Sequence, residues 1–164
     1  DVYNCYDSDG NGYGSLVYLE SSVLGQCNEF LMESNRLYGC YARLADLIGV
    51  VGAWSSGVAY GASNGVIAKN ELWGPAQNGV YMRTGACSNR IEGNIIRDIK
   101  GFGVNGGIAV QLRDQANCNT VCNNFVLNCY GPTMQSDGAN GGPGSVDPSC
   151  RGNGFYFNSI YNGS

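Results

Sequence analysis

The chain has 164 residues, 26 of them glycine, with 13% charged residues, no histidine and a formal net charge of −4. That length suits one domain, the glycine content and low charge weigh against a helical protein, and the mild negative balance gives no reason to expect a nucleic-acid partner. No run of eighteen apolar residues is present, so no membrane span is expected, and no signal peptide is visible at Asp1.

The opening, Asp1-Val-Tyr-Asn4-Cys-Tyr6, reads as the middle of a repeating unit, with Asn4 where a ladder asparagine would stand. Asp7-Ser-Asp9-Gly-Asn11-Gly12 then sets oxygen-bearing side chains at alternate positions. This matches the first half of a calcium loop, with Asp7, Asp9 and Asn11 as the ligands. The closing bidentate glutamate is missing, because Tyr18 stands in its place, so a tight surface turn is the plainer reading. Calcium is therefore an optional ligand, and no cofactor is required.

Residues 20–44 echo themselves: Glu20, Ser21, Leu24, Cys27 and Leu31 return as Glu33, Ser34, Leu37, Cys40 and Leu44. Thirteen residues is too short for a full coil of a solenoid and suits two successive sides of one. Ala45 to Ser63 is small and apolar, either a buried strand run or a short helix.

From Ile67 one pattern appears four times. Ile67-Ala-Lys-Asn70-Glu-Leu72 is followed by Ile91-Glu-Gly-Asn94-Ile-Ile96, then by Val121-Cys-Asn-Asn124-Phe-Val126 and Phe155-Tyr-Phe-Asn158-Ser-Ile160. The starts are 24, 30 and 34 residues apart, within the range of one solenoid coil plus loops of varying length. A looser copy with serine for asparagine is Leu19-Glu-Ser-Ser22-Val-Leu24. The apolar positions fill the interior of a coil, and the asparagine suits a left-handed turn and side-chain bonds to its counterparts above and below. Gly79-Val-Tyr-Met82 and Gly107-Ile-Ala-Val110 add a second strand signal to two copies.

Asn89-Arg-Ile91-Glu-Gly-Asn94 and Asn119-Thr-Val121-Cys-Asn-Asn124, the first continued by the glycine-led strand at Gly107, resemble the right-handed parallel β-helix family of pectate-lyase-like proteins. The resemblance covers about two thirds of the chain. It implies an all-β, right-handed parallel β-helix (a solenoid) of about six coils, forming a single domain over residues 1–164. It leaves function open, since this fold carries lyases, hydrolases, epimerases, phage fibres and inert scaffolds.

Residues 131–149 form a long Gly/Pro-rich loop, either lining a functional face or making a plain surface excursion closed by Cys150. The eight cysteines are Cys5, Cys27, Cys40, Cys87, Cys118, Cys122, Cys129 and Cys150. With no histidine and no Cys-x-x-Cys spacing, disulfides in an oxidising compartment account for them better than zinc. Cys87, Cys118 and Cys150 precede the asparagine motif at nearly one place. Coils about 4.8 Å apart would let such a column be bridged, with the pairing open. Asn162-Gly-Ser164 is an N-glycosylation pattern that agrees with secretion.

Strand alternation points Tyr81 and Arg83 out of one coil, and Ala109, Gln111 and Arg113 out of the next. Tyr81, Arg83, Gln111 and Arg113 form a candidate sugar-contact face, because flat rings stack on sugars and amides bond hydroxyls. Arg97-Asp98 and Arg113-Asp114 are the best pairs of a base beside a carboxylate, although adjacent pairs of this kind are usually solvated. In the resembling enzymes, cleavage uses calcium with an Arg or Lys base, or clustered aspartates. The carboxylates here are scattered and no catalytic residue is assigned.

The balance falls on a non-enzymatic, extracellular structural or adhesive module. It would stack end to end on copies of itself, or on a neighbouring β-helix segment, into a fibre or surface appendage, with polysaccharide contacts. The rival is a polysaccharide lyase, epimerase or hydrolase acting on an anionic polysaccharide. A third reading makes the chain one piece of a larger enzyme.

Overall fold

The computed structural model describes residues 1–5, 13–21, 27–41, 44–51, 53–55, 58–101, 106–137 and 150–162. Its strands come mostly in threes. The chain runs through β1 (Val2–Cys5), β2 (Tyr13–Glu20) and β3 (Leu31–Glu33), then β4 (Arg36–Cys40) and β5 (Leu44–Val51). An antiparallel pair, β6 (Ala53–Ser55) and β7 (Val58–Tyr60), precedes β8 (Val66–Ala68). The pattern continues with β9 (Glu71–Pro75), β10 (Asn78–Arg83), β11 (Arg90–Glu92), β12 (Ile95–Lys100), β13 (Ile108–Arg113) and β14 (Thr120–Cys122). It closes with β15 (Phe125–Leu127), β16 (Met134–Asp137), β17 (Gly154–Tyr156) and β18 (Ser159–Tyr161).

Leaving aside the β6–β7 pair, every third strand pairs in parallel with its predecessor, which makes a solenoid with three sheets. The first has the order β1-β4-β9-β12-β15-β18, the second β16-β13-β10-β5-β2 and the third β17-β14-β11-β8-β3. In each five-stranded sheet the first and last strands stand four turns apart, so the solenoid is shorter than the six coils expected.

The repeat is visible as vertical columns. Ile67, Ile91, Val121 and Phe155 stack in the third sheet, and Leu72, Ile96, Val126 and Ile160 stack in the first. Each sequence motif is therefore two strands meeting at a corner, with its asparagine at the bend. Ile48, Val80 and Val110, and beside them Val50, Met82 and Leu112, supply the same fill from the second sheet. All of these except Phe155 and Ile160 of the last strands are buried, each contributing about 1.5–3 kcal/mol. Gly79 belongs to this packing: a Cβ there would lie 2.7 Å from the Ala109 carbonyl oxygen.

The corner asparagines form a ladder of Asn35, Asn70, Asn94, Asn124 and Asn158. Each Nδ2 donates to the next Oδ1 at 2.9–3.1 Å, and each backbone N–H donates to that same oxygen. A second ladder joins Asn89, Asn119 and Asn153 at the other end of the third-sheet strands. The left-handed residue is not the asparagine but the one before it: Ser34, Lys69, Gly93, Asn123 and Phe157 have φ of 52–61°. That geometry aims the asparagine amide along the stack.

Several expectations change. The Leu19 copy is out of frame, since Leu19 belongs to β2 in the second sheet. The true copy is Met32-Glu-Ser-Asn35-Arg-Leu37, whose Asn35 starts the ladder. Asn4 lies within β1, between residues paired with Tyr38 and Cys40, and not at a corner. Glu20 and Glu33 close β2 and β3, two successive sides, as the thirteen-residue echo implies. The apolar stretch after Ala45 forms strands. The segment 131–149 is not all loop, because β16 occupies Met134–Asp137, while 138–149 lies outside the described residues.

The disulfide staples are not found among the described residues: no disulfide joins any of Cys27, Cys40, Cys87, Cys118, Cys122, Cys129 and Cys150. The supposed column fails because its members are offset along the corner. Cys87 pairs with Asn117, Cys118 donates its N–H to the Arg151 carbonyl, and Cys150 packs on the core. The cysteines whose backbones do face each other are Cys5 and Cys40.

Candidate functional site

The outer face of the second sheet is built from three in-register rows. Tyr18, Gly49, Tyr81, Gln111 and Gln135 form the middle row. Glu20, Val51 and Arg83 flank it on one side, with Arg113 opposite Asp137 in the strands beyond. Ser15, Asp46 and Asn78 form the third row, at the strand starts.

Members of all three rows line a cleft of about 600 Å³. The four residues assigned to the sugar-contact face, Tyr81, Arg83, Gln111 and Arg113, all line it. Alternation along β10 and β13 brings them together, since parallel strands keep equivalent side chains on one face. Ala109, expected outward with them, is buried. Gly49 leaves the gap between Tyr18 and Tyr81: a Cβ there would come within 3.0 Å of the Tyr18 ring and of Ser15 Oγ.

The cationic wall is held in place. Arg83 Nη2 lies 3.4 Å from Asp114 Oδ2, its Nε donates to Thr84 Oγ1 at 3.2 Å, and its guanidinium lies 6.0 Å from the Tyr81 ring centre. Arg113 Nε stands 4.0 Å from Asp114 Oδ1. Asp114 follows β13 with φ of 49°, a conformation Asp tolerates better than most residues, and it is buried beneath the two arginines.

The floor carries a second buried carboxyl, missed in the sequence. Asp46 Oδ1 accepts a 2.7 Å bond from Asn78 Nδ2. Burial pushes the Asp46 carboxyl up to about 7, offset in part by the bonds from Asn78 and by the charge of Arg83. Burial likewise raises Tyr18 and Tyr81 above the usual phenol value. Asp46 and Tyr18 could be found only by aligning Ile48 and Val50 with Val80 and Met82, which places Asp46 beside Asn78.

Arg97-Asp98, the other base–carboxylate candidate, lies on the first sheet, away from the cleft. Arg97 contacts Asp98 at 3.1 Å and Glu71 at 3.0 Å and caps Trp73, which ends a stack running through Tyr38 to Tyr3. It serves that face of the solenoid. Asp7, Asp9 and Asn11 lie outside the described residues. Among the described residues no group of three or more His, Cys, Asp or Glu side chains could hold a metal ion. Asn162 is exposed, and its Oδ1 accepts from the Cys129 N–H at 3.3 Å. No helix among the described residues is long and apolar enough to cross a membrane.

No curated protein and no solved structure matches the chain. The family model for the right-handed β-helix region matches residues 2–159, and the chain belongs to that family.

Proposed function

We propose that this β-helix is an extracellular module that binds an anionic polysaccharide along the outer face of its second sheet. The observation that carries the reading is the cleft itself, where Arg83 and Arg113 stand beside Tyr81 and Gln111 over a buried Asp114. Below pH 7 Asp46 keeps its proton. Arg83 and Arg113 then offer two planar guanidiniums, which suit the carboxylates of a polymer. The Tyr81 ring offers apolar area for a sugar face. Secretion is supported by the Asn162 acceptor pattern. The test is a titration with tetragalacturonate: saturable binding, weakened by salt and lost in Arg113→Gln, is expected. Absence of binding would overturn the reading. The same incubation, assayed for unsaturated or shortened sugars, decides whether the cleft also cleaves as a lyase or hydrolase.

A second reading, the stacking structural or adhesive module, is supported by exposed apolar side chains at the ends of the sheets. Tyr156, Phe157, Ile160 and Tyr161 stand exposed on or beside β17 and β18, and Val2, Tyr3 and Leu31 on β1 and β3. Another coil laid on those edges would cover them. Electron microscopy of the purified chain tests this: regular filaments support stacking, and dispersed single particles sink it.

A further inference from the structure

We propose that Tyr18, leaning over Gly49, is a stacking platform at one end of the cleft, so that the site takes an acidic oligosaccharide of at least three units and holds one of them by an apolar face. This rests on the reading of the cleft as a polysaccharide site and names the length of ligand it selects.

Glycine is a poor choice inside a strand, because it packs nothing and loses the most freedom on folding. Gly49 stands within β5 and outside the left-handed region, so its backbone does not demand glycine. The neighbouring ring does. A Cβ there would come 3.0 Å from Tyr18 Cδ2, 3.4 Å from Tyr18 Cε2 and 3.0 Å from Ser15 Oγ. The ring thus leans from β2 across the bare backbone of β5. Tyr18 is 53% exposed and lines the cleft, so ring surface is left open to a ligand.

The platform adjoins the charged part of the cleft. Strands β5, β10 and β13 are successive neighbours in the second sheet, about 4.8 Å apart. On its outer face Val51 of β5 is followed by Arg83 of β10, and Arg113 ends β13. A sugar unit is about as long as one such step. Arg83 and Arg113 therefore take the carboxylates of two successive units, and the third lies over β5. There it meets Val51 and the Tyr18 ring in place of an arginine. Its C–H face packs on the ring. Glu20, in the Val51 row on β2, repels any further carboxylate at that end.

The experiment titrates the whole chain with digalacturonate and with trigalacturonate at pH 5.5, where Asp46 holds its proton, and at fixed ionic strength. Disaccharide binding tests the arginine cleft by itself, and the ratio of the two affinities tests the platform. The wild type is expected to bind the trisaccharide about tenfold more tightly, the size of one strong aromatic contact. Tyr18→Ala should bring the ratio close to unity with disaccharide binding unchanged, while Tyr18→Phe, which keeps the ring, should retain it. Gly49→Ala, which pushes the ring aside, should lower the ratio too, and the exposed Tyr18→Ala serves alone if Gly49→Ala fails to fold. A wild-type ratio near unity, or a ratio that survives Tyr18→Ala, overturns the platform and leaves the anionic cleft standing. A ratio lost equally in Tyr18→Phe overturns stacking, because the hydroxyl and not the ring would then carry the contact. Binding of neither sugar overturns the cleft reading and the platform with it.

Discussion

Arg83 reaches across a coil to Asp114, its Nη2 3.4 Å from an Oδ2 whose side chain is 4% exposed. The carboxylate is buried while the arginine is partly solvated, so the pair is asymmetric. Removing the arginine takes away the nearer cation and leaves the buried carboxylate with Arg113 at 4.0 Å, which costs more than the pair itself contributes. Arg83→Gln is expected to lower stability by about 1–3 kcal/mol, less than a fully buried pair because Arg83 is partly screened. Adding Asp114→Asn should restore most of the loss. Urea unfolding of the two single variants and the double variant measures it, and an unrescued double would show that the pair is not coupled.

Stability should fall as pH rises through the weakly acidic range. The folded-state value of Asp46 is raised to about 7 from an ordinary value of 3.8. Between those limits the folded protein holds a proton that the unfolded chain has released. Folding is thus favoured by acid there and loses about 1.4 kcal/mol per pH unit from this group until pH 7. Asp46→Asn should flatten that slope in thermal melts taken from pH 4.5 to 7.5. An unchanged slope would place the titration elsewhere.

Interrupting the asparagine ladder at its centre should cost more than at its end. Asn94 Oδ1 accepts from Asn70 N and Nδ2, while its own Nδ2 donates to the Ile67 carbonyl and to Asn124 Oδ1. Asn94→Ala leaves buried donors and acceptors unmatched, a loss of about 2–5 kcal/mol. Asn158→Ala, on a half-exposed rung, should cost less than half of that in the same unfolding titration.

Thiol labelling should separate the cysteines by burial. Cys118 is exposed, whereas burial pushes the Cys129 thiol up to about 11. At pH 7.5 a maleimide should modify Cys118 first and leave Cys129 untouched until denaturant is added. Peptide mapping by mass spectrometry reads the order, and early modification of Cys129 would contradict the packing.

The solenoid was legible because its constraint is local and repeated. An asparagine between two apolar residues at fixed offsets describes one corner completely, and the corners at Asn70, Asn94, Asn124 and Asn158 are where the motif puts them. The Asn35 copy was obscured by the serine-containing Leu19 segment, which mimics the pattern in the wrong sheet. The cleft's Tyr81, Arg83, Gln111 and Arg113 were legible too, since alternation within one strand is enough to turn them outward.

What joined those residues to Asp46, Asn78, Gly49 and Tyr18 is the register between strands whose loops differ in length. Asp46 meets Asn78 across 32 residues that include the β6–β7 excursion, and nothing local states how much chain that excursion absorbs. The same reason undid the cysteine column, where a one-residue offset puts Cys87 opposite Asn117 and not Cys118. The sequence alone determined the repeating corner and the outward direction of Tyr81, Arg83, Gln111 and Arg113, though not the burial of Ala109, because the first two follow from backbone geometry within a few residues. Only the tertiary structure decided which coils' side chains share a cleft and which carboxyls lose water, because stacking and desolvation depend on the whole stack.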